Sequence, residues 1–220
     1  LFDRHIPDWR SDAFSLRYAV GIPVAEIEAA HRLAKADLIA RVRAASGVEL
    51  DTEVLTFGFA RRATPYKRAA LVFEDPARLQ EISERLGPMQ FVFAGKAHPH
   101  DAAGQEIIRR LFGVGRALEG RLRVVYLPDY DMDLGRRLCA GVDVWLNTPV
   151  PPQEASGTSG MKAALNGVPS LSILDGWWVE GCVEGVTGWA IGDDGESEFA
   201  SDAERDTQQA RALYEKLADA

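Results

Sequence analysis

The sequence predicts an α/β fold, a parallel sheet with helices on both faces. Three observations lead there. Five short apolar runs recur, at residues 54–60 (VLTFGFA), 90–94 (QFVFA), 123–127 (RVVYL), 142–146 (VDVWL) and 170–174 (SLSIL). Runs of that length, bounded by turn residues, read as buried strands. Between them lie helical patterns of about ten residues, the crossover length that parallel strands require and hairpins do not.

In chain order, residues 1–20 form an irregular lead-in, with Trp9 and Phe14 as expected anchors, and residues 21–220 one domain. Pro23 suits a helical first turn, and Ile27, Ala30, Ala34, Leu38 and Val42 then recur at helical spacing as far as Gly47. Helices are expected at 69–73, at 76–86 with Asp75 as cap, at 104–112, at 132–140, from Met161 onward, and at 203–217. Residues 192–202 read as a polar loop. Parallel sheets bind ligands outside the carboxyl ends of their strands. The loops starting at Arg61, Gly95, Pro128, Asn147 and Asp175 should therefore open onto one rim.

With 220 residues, 46% of them hydrophobic, the chain can bury a full core. Its formal charge of −8 argues against general binding to nucleic acid or an anionic membrane. No apolar run reaches the length of a membrane span, and no leader pattern appears. Two cysteines, Cys139 and Cys182, make no disulfide framework and predict a reducing, cytoplasmic compartment. The chain starts without methionine and ends in a helical pattern, so a fragment of a longer protein is expected.

Four stretches carry chemistry. Residues 154–167 (EASGTSGMKAALNG) run from Glu154 through small residues into a helix bearing Lys162. Short side chains at a helix start leave N–H groups unpaired at the positive end of the dipole, a ready anion site. The residues alone fit equally a capped helix with a solvated lysine. Residues 59–68 (FARRATPYKR) put Arg61, Arg62, Lys67 and Arg68 within eight positions of an acidic chain. They read as a solvated basic turn or as a phosphate clamp, guanidinium pairing bidentately with phosphate oxygens. Two phosphates about 5 Å apart, at an effective dielectric of about 20, repel by about 13 kcal/mol, so holding two needs such a cluster. Residues 95–101 (GKAHPHD) offer His98 and His100, a weak metal signal. Residues 127–137 (LPDYDMDLGRR) put Asp131 or Asp133 at a helix cap and aim Tyr130 into the rim.

In this order the stretches resemble the C-terminal, cofactor-carrying domain of the bacterial-type α-glucan (glycogen, starch, maltodextrin) phosphorylases. LFDRHIPDWR, AHRLAKADLIARVR and the LDGWW of residues 174–178 resemble the same family, with Trp177 and Trp178 expected to pack or line. The resemblance implies a Rossmann-like domain, the C-terminal half of a GT-B fold whose N-terminal domain lies outside these residues. It implies pyridoxal phosphate, covalent on Lys162, with Thr158, Arg61, Lys67 and Tyr130 around it. It further implies that Arg62, helped by Lys67, holds inorganic phosphate, while Glu154 and the backbone at Ser156 and Gly157 meet the sugar hydroxyls. Arg62, Lys67 and Glu154 are thus the implied catalytic set. The implied reaction is retaining phosphorolysis of α-1,4-glucan to glucose 1-phosphate, and a homodimer is one assembly the family allows. The fragment alone is expected to be inactive. Two departures stand out: Arg61 and Thr64 where animal members have lysine and histidine, and Asp131 where some members have arginine. A GT-B transferase using a nucleotide-sugar donor, or a non-catalytic glucan- or phosphate-binding module, would carry a similar rim.

Overall fold

The computed structural model describes residues 1–192 and 199–219. The lead-in forms a short helix α1 (Phe2–His5) and a 3-10 segment at Ala13–Gly21. Trp9 packs edge-on against Phe2, whereas Phe14 is 77% exposed, with the Arg17 guanidinium 5.9 Å from its ring. Helix α2 (Val24–Ser46) follows Pro23, and strand β1 (Leu55–Ala60) opens the sheet. The expected helix at 69–73 is a single 3-10 turn, Leu71–Phe73, because Asp75 starts the next helix two residues on. That helix is α3 (Pro76–Leu86), capped as expected by the Asp75 carboxylate on the Arg78 N–H.

Strand β2 (Met89–Ala94), α4 (Ala102–Ala117), β3 (Arg123–Leu127), α5 (Met132–Gly141) and β4 (Val144–Asn147) come next. Helix α4 outruns the expected 104–112, because Asp101 caps it earlier and its apolar face continues to Leu118. Strand β4 starts later than 142, since the Asp143 carboxylate is taken by Lys35, His31 and the Thr56 N–H. Then come α6 (Thr158–Leu165), β5 (Ser170–Ile173), the short α7 (Trp178–Gly181), β6 (Gly188–Ile191) and α8 (Asp202–Asp219). Strand β6 is a sixth strand that the sequence reading missed; four residues of GWAI carry too little pattern. Of the expected loop at 192–202, residues 193–198 lie outside the described residues, and Asp202 already begins α8.

All strand pairs are parallel, in the order β3-β2-β1-β4-β5-β6. The chain builds outward from β1, then returns to place β4 on its other side. Strand alternation splits the core in two. Phe57, Phe59, Phe91 and Phe93 face α3 and α8, with Phe57 stacked on Phe91 at 5.0 Å. Val92, Val125 and Trp145 face α2, α5 and α6 through Leu38, Leu138 and Ala163. The order reverses between β1 and β4, and in such sheets ligands usually bind outside the strands' carboxyl ends at that point.

Candidate functional site

Two loops meet at that point, one leaving β1 and one leaving β4. The first begins at Arg61, whose N–H still bonds the Ala94 carbonyl at 3.1 Å. Gly95 makes this approach feasible, since a β-carbon there would lie 2.1 Å from the Arg61 carbonyl oxygen. The buried Arg61 guanidinium bonds the Glu154 carboxylate through Nη1 and the Ser159 hydroxyl through Nε (3.1 Å) and Nη2 (2.7 Å). The loop then turns through a 3-10 segment, Pro65–Lys67, and brings Lys67 Nζ to Glu154 Oε2 at 2.6 Å.

One carboxylate oxygen therefore serves two cations, and the cluster keeps a net positive charge inside an acidic protein. Burial alone would push the Glu154 carboxyl up. The Lys67 hydrogen bond and the Arg61 and Lys67 charges outweigh burial and hold it below the ordinary glutamate value.

The second loop is gripped from beneath by the turn after β5. Buried Asp175 accepts the Glu154 N–H at 2.9 Å on one oxygen and the Gly176 N–H at 2.9 Å on the other. The Trp177 N–H donates to the Ser156 carbonyl at 2.9 Å. The Trp177 indole lies against the loop, where a β-carbon on Gly157 or Gly160 would come within 2.9 or 2.8 Å of the ring. Gly157 also takes a left-handed φ of 79° at the N-cap of α6, a conformation glycine adopts without strain. Trp178 is buried core.

Beyond Ser159, α6 and α5 border a cleft of about 840 Å³, lined by Tyr130, Cys139, Ser159 and Lys162 among others. Among the described residues the Lys162 ammonium makes no ion pair. Burial pushes the Cys139 thiol up to about 11, and the neighbouring Lys162 charge opposes that rise. Burial likewise raises the Tyr130 phenol. Asp131 caps α5 by accepting the Leu134 N–H at 2.8 Å, which leaves Tyr130 at the cleft wall.

These residues fit a phosphorylated aldehyde. They supply a primary amine that makes no ion pair among the described residues and a cleft within the range of small-ligand sites (about 300–1,000 Å³), whose lining also carries Asp131, Asp133 and Arg136. Ser159 joins the two parts of the site: it lines the cleft and also accepts from Arg61.

Arg61, Lys67 and Glu154 are thus brought together, and Lys162 and Tyr130 share the adjoining cleft. Arg62 is exposed and makes no ion pair among the described residues. Thr158 is exposed as the first residue of α6, and the Ser156 carbonyl is committed to Trp177. His98 and His100 belong to no group of three or more His, Cys, Asp or Glu side chains placed to hold a metal ion, among the described residues. Ser159, Asp175 and the bracing role of Trp177 were missed from sequence. Only the acid-glycine pair of LDGWW hinted at a turn there. Both cysteines are free.

The carbohydrate phosphorylase family model matches residues 23–214. The chain is similar to a glycogen phosphorylase of Aquifex aeolicus, with 51% identity over 79% of this chain and 24% of that protein. A maltodextrin phosphorylase of Thermococcus litoralis is 43% identical over 98% of this chain and 28% of its own length. A glycogen phosphorylase of Mycobacterium bovis is 46% identical over 77% of this chain and 20% of that protein. The chain thus spans 20–28% of the length of these curated relatives. Among the described residues no helix is long and apolar enough to cross a membrane.

Proposed function

The chain belongs to the carbohydrate phosphorylase family, and on that premise we propose that the whole protein cleaves α-1,4-glucan with inorganic phosphate, releasing glucose 1-phosphate with retention. The observation that carries this reading is the convergence of Arg61 and Lys67 on Glu154, joined through Ser159 to the cleft of Lys162. Residues 21–220 would be the C-terminal half of a GT-B fold in a cytoplasmic enzyme, with glucan-binding surface in the rest of the protein. By themselves these residues release no glucose 1-phosphate.

Pyridoxal phosphate, when bound, supplies a phosphate group able to exchange a proton with the substrate phosphate. Lys162 is its covalent anchor and acts as neither acid nor base. Tyr130, Thr158 and Arg61 would hold it. Lys67 and Arg62, which makes no ion pair among the described residues, would bind inorganic phosphate and offset the repulsion between two anions. Glu154, tied to Arg61 and Lys67 through Oε2, fixes both cations before substrate arrives and faces the sugar hydroxyls with the backbone of Ser156 and Gly157. Charge fixed in advance stabilises a cationic sugar transition state and its anionic partner without reorganisation during the reaction.

The test is release of glucose 1-phosphate from dextrin and phosphate by the full-length protein, parent against Arg62→Ala. The variant should keep its cofactor and need at least about tenfold more phosphate, as loss of a charge-assisted contact implies. Unchanged phosphate dependence would remove Arg62 from the site.

A further inference from the structure

The turn that carries Lys67 is held from outside the site, and its holder is Arg68. This residue has a left-handed backbone, φ 45° and ψ 48°, which a side chain other than glycine rarely adopts. Local preference therefore does not select the turn; the fixed side chain does. Nε of Arg68 donates to the Thr148 carbonyl at 3.1 Å, and Nη2 donates to the Pro149 carbonyl and to Gln209 Oε1, both at 2.6 Å. Nη1 pairs with Asp206 Oδ1 at 2.7 Å. Only 7% of the side chain is exposed.

Asp206 and Gln209 are three residues apart on α8, so one helical face presents both to Arg68. Around this fork the Thr148 hydroxyl donates to the carbonyls of Lys67 and Arg68, each at 3.1 Å, and the Val150 N–H donates to the Tyr66 carbonyl at 2.8 Å. Both the β4 end and α8 thus grip the residues that aim Lys67.

We propose that Arg68 is a positioning residue: through it, Asp206 and Gln209 of the C-terminal helix fix the Lys67 turn and so set the affinity for inorganic phosphate. This rests on the reading of Lys67 as a phosphate ligand. Arg68 itself touches no reactant. A lysine could keep the pairing with Asp206 but could not span the carbonyls and Gln209 together, because it lacks the planar fork.

The experiment uses the full-length holoenzyme and measures phosphate binding by calorimetry, with KM for phosphate and for glucan in parallel. Arg68→Lys and the double variant Asp206→Ala/Gln209→Ala should each weaken phosphate binding about five- to twentyfold, less than the full loss of a charge-assisted contact because Lys67 itself remains. KM for glucan should stay within twofold. Should Arg68→Lys fail to fold, the α8 double variant, which leaves Arg68 in place, carries the test. Phosphate affinity within twofold of the parent overturns the proposal. So does an equal loss for phosphate and glucan, the pattern of general unfolding. Arg62→Ala serves as reference. If it weakens phosphate binding while the α8 variant does not, the positioning role fails and the phosphate site stands. If neither does, both fall.

Discussion

Replacing Glu154 by alanine should unpin the site, and the geometry sets the size of the effect. Arg61 Nη1 and Lys67 Nζ both bond Glu154 Oε2, which brackets the two nitrogens within about 5 Å of each other. The side chains of Arg61 and Lys67 are only 6% and 12% exposed, so water screens them poorly once the carboxylate is gone. Two like charges about 5 Å apart repel by about 3 kcal/mol at an effective dielectric of about 20. That agrees with the roughly 3–5 kcal/mol lost when one partner of a buried ion pair is removed. For a chain of this size the melting temperature should fall by about 6–20 °C. The assay is thermal unfolding of the chain in phosphate-free buffer and again with added phosphate. An anion can stand where the carboxylate stood, so phosphate at about a hundred times its dissociation constant should return about 2.7 kcal/mol to the variant. The parent, whose cations are already paired, should gain less. A loss below about 1 kcal/mol, or equal rescue of parent and variant, would refute this picture of a charge-frustrated pair of cations.

Other outcomes follow from the same contacts. Glu154 and Asp143 both have carboxyls held below their ordinary values of 4.5 and 3.8. For Asp143, burial works against the shift and the His31, Lys35 and Thr56 hydrogen bonds outweigh it. Their stabilisation is complete above those ordinary values and is lost as pH falls through the lowered folded values, so acid titration should show stability steady from pH 7 to about 5 and falling below about 4.5. Glu154→Ala should shallow that acid limb; an unchanged slope would show that the pairing contributes nothing. Asp175→Asn replaces one of two backbone acceptors by a donor facing an N–H. It should cost about 1–3 kcal/mol and raise hydrogen exchange at Glu154 and Gly176 above that of the β2 core. Gly95→Ala forces a methyl to 2.1 Å from the Arg61 carbonyl, so β1 must yield there. Phosphate binding should weaken while α3 and α8 keep their protection, and intact binding would show that Arg61 tolerates displacement.

Much of this was legible in the sequence for identifiable reasons. Strands such as VLTFGFA, from Thr56 onward, and QFVFA are buried on both faces, so apolar residues dominate them without alternation, and the helices between them announce themselves by spacing and by caps such as Asp75 and Asp131. Arg61, Lys67 and Glu154 stood out as charge beside small residues or within an acidic chain. What stayed hidden depends on contacts that no local pattern encodes. Asp175 looks like any turn aspartate until β5 sets it beneath the Glu154 N–H. Arg68 looks like a fourth rim cation until α8, some 138 residues later, turns it away from the rim toward Asp206. Strand β6 was too short to show a period, and Phe14, expected as an anchor, stays exposed with only the Arg17 guanidinium over its ring among the described residues.

The central claim is that Lys162 carries a phosphorylated aldehyde beside the Arg61–Glu154–Lys67 cluster. Borohydride treatment of the full-length protein, followed by proteolysis and mass spectrometry, tests it most directly. The expected result is a phosphopyridoxyl mass on the peptide containing Lys162 and on no other lysine, absent from Lys162→Ala. An unmodified Lys162, or the label at Lys67 or Lys96 instead, would contradict the account.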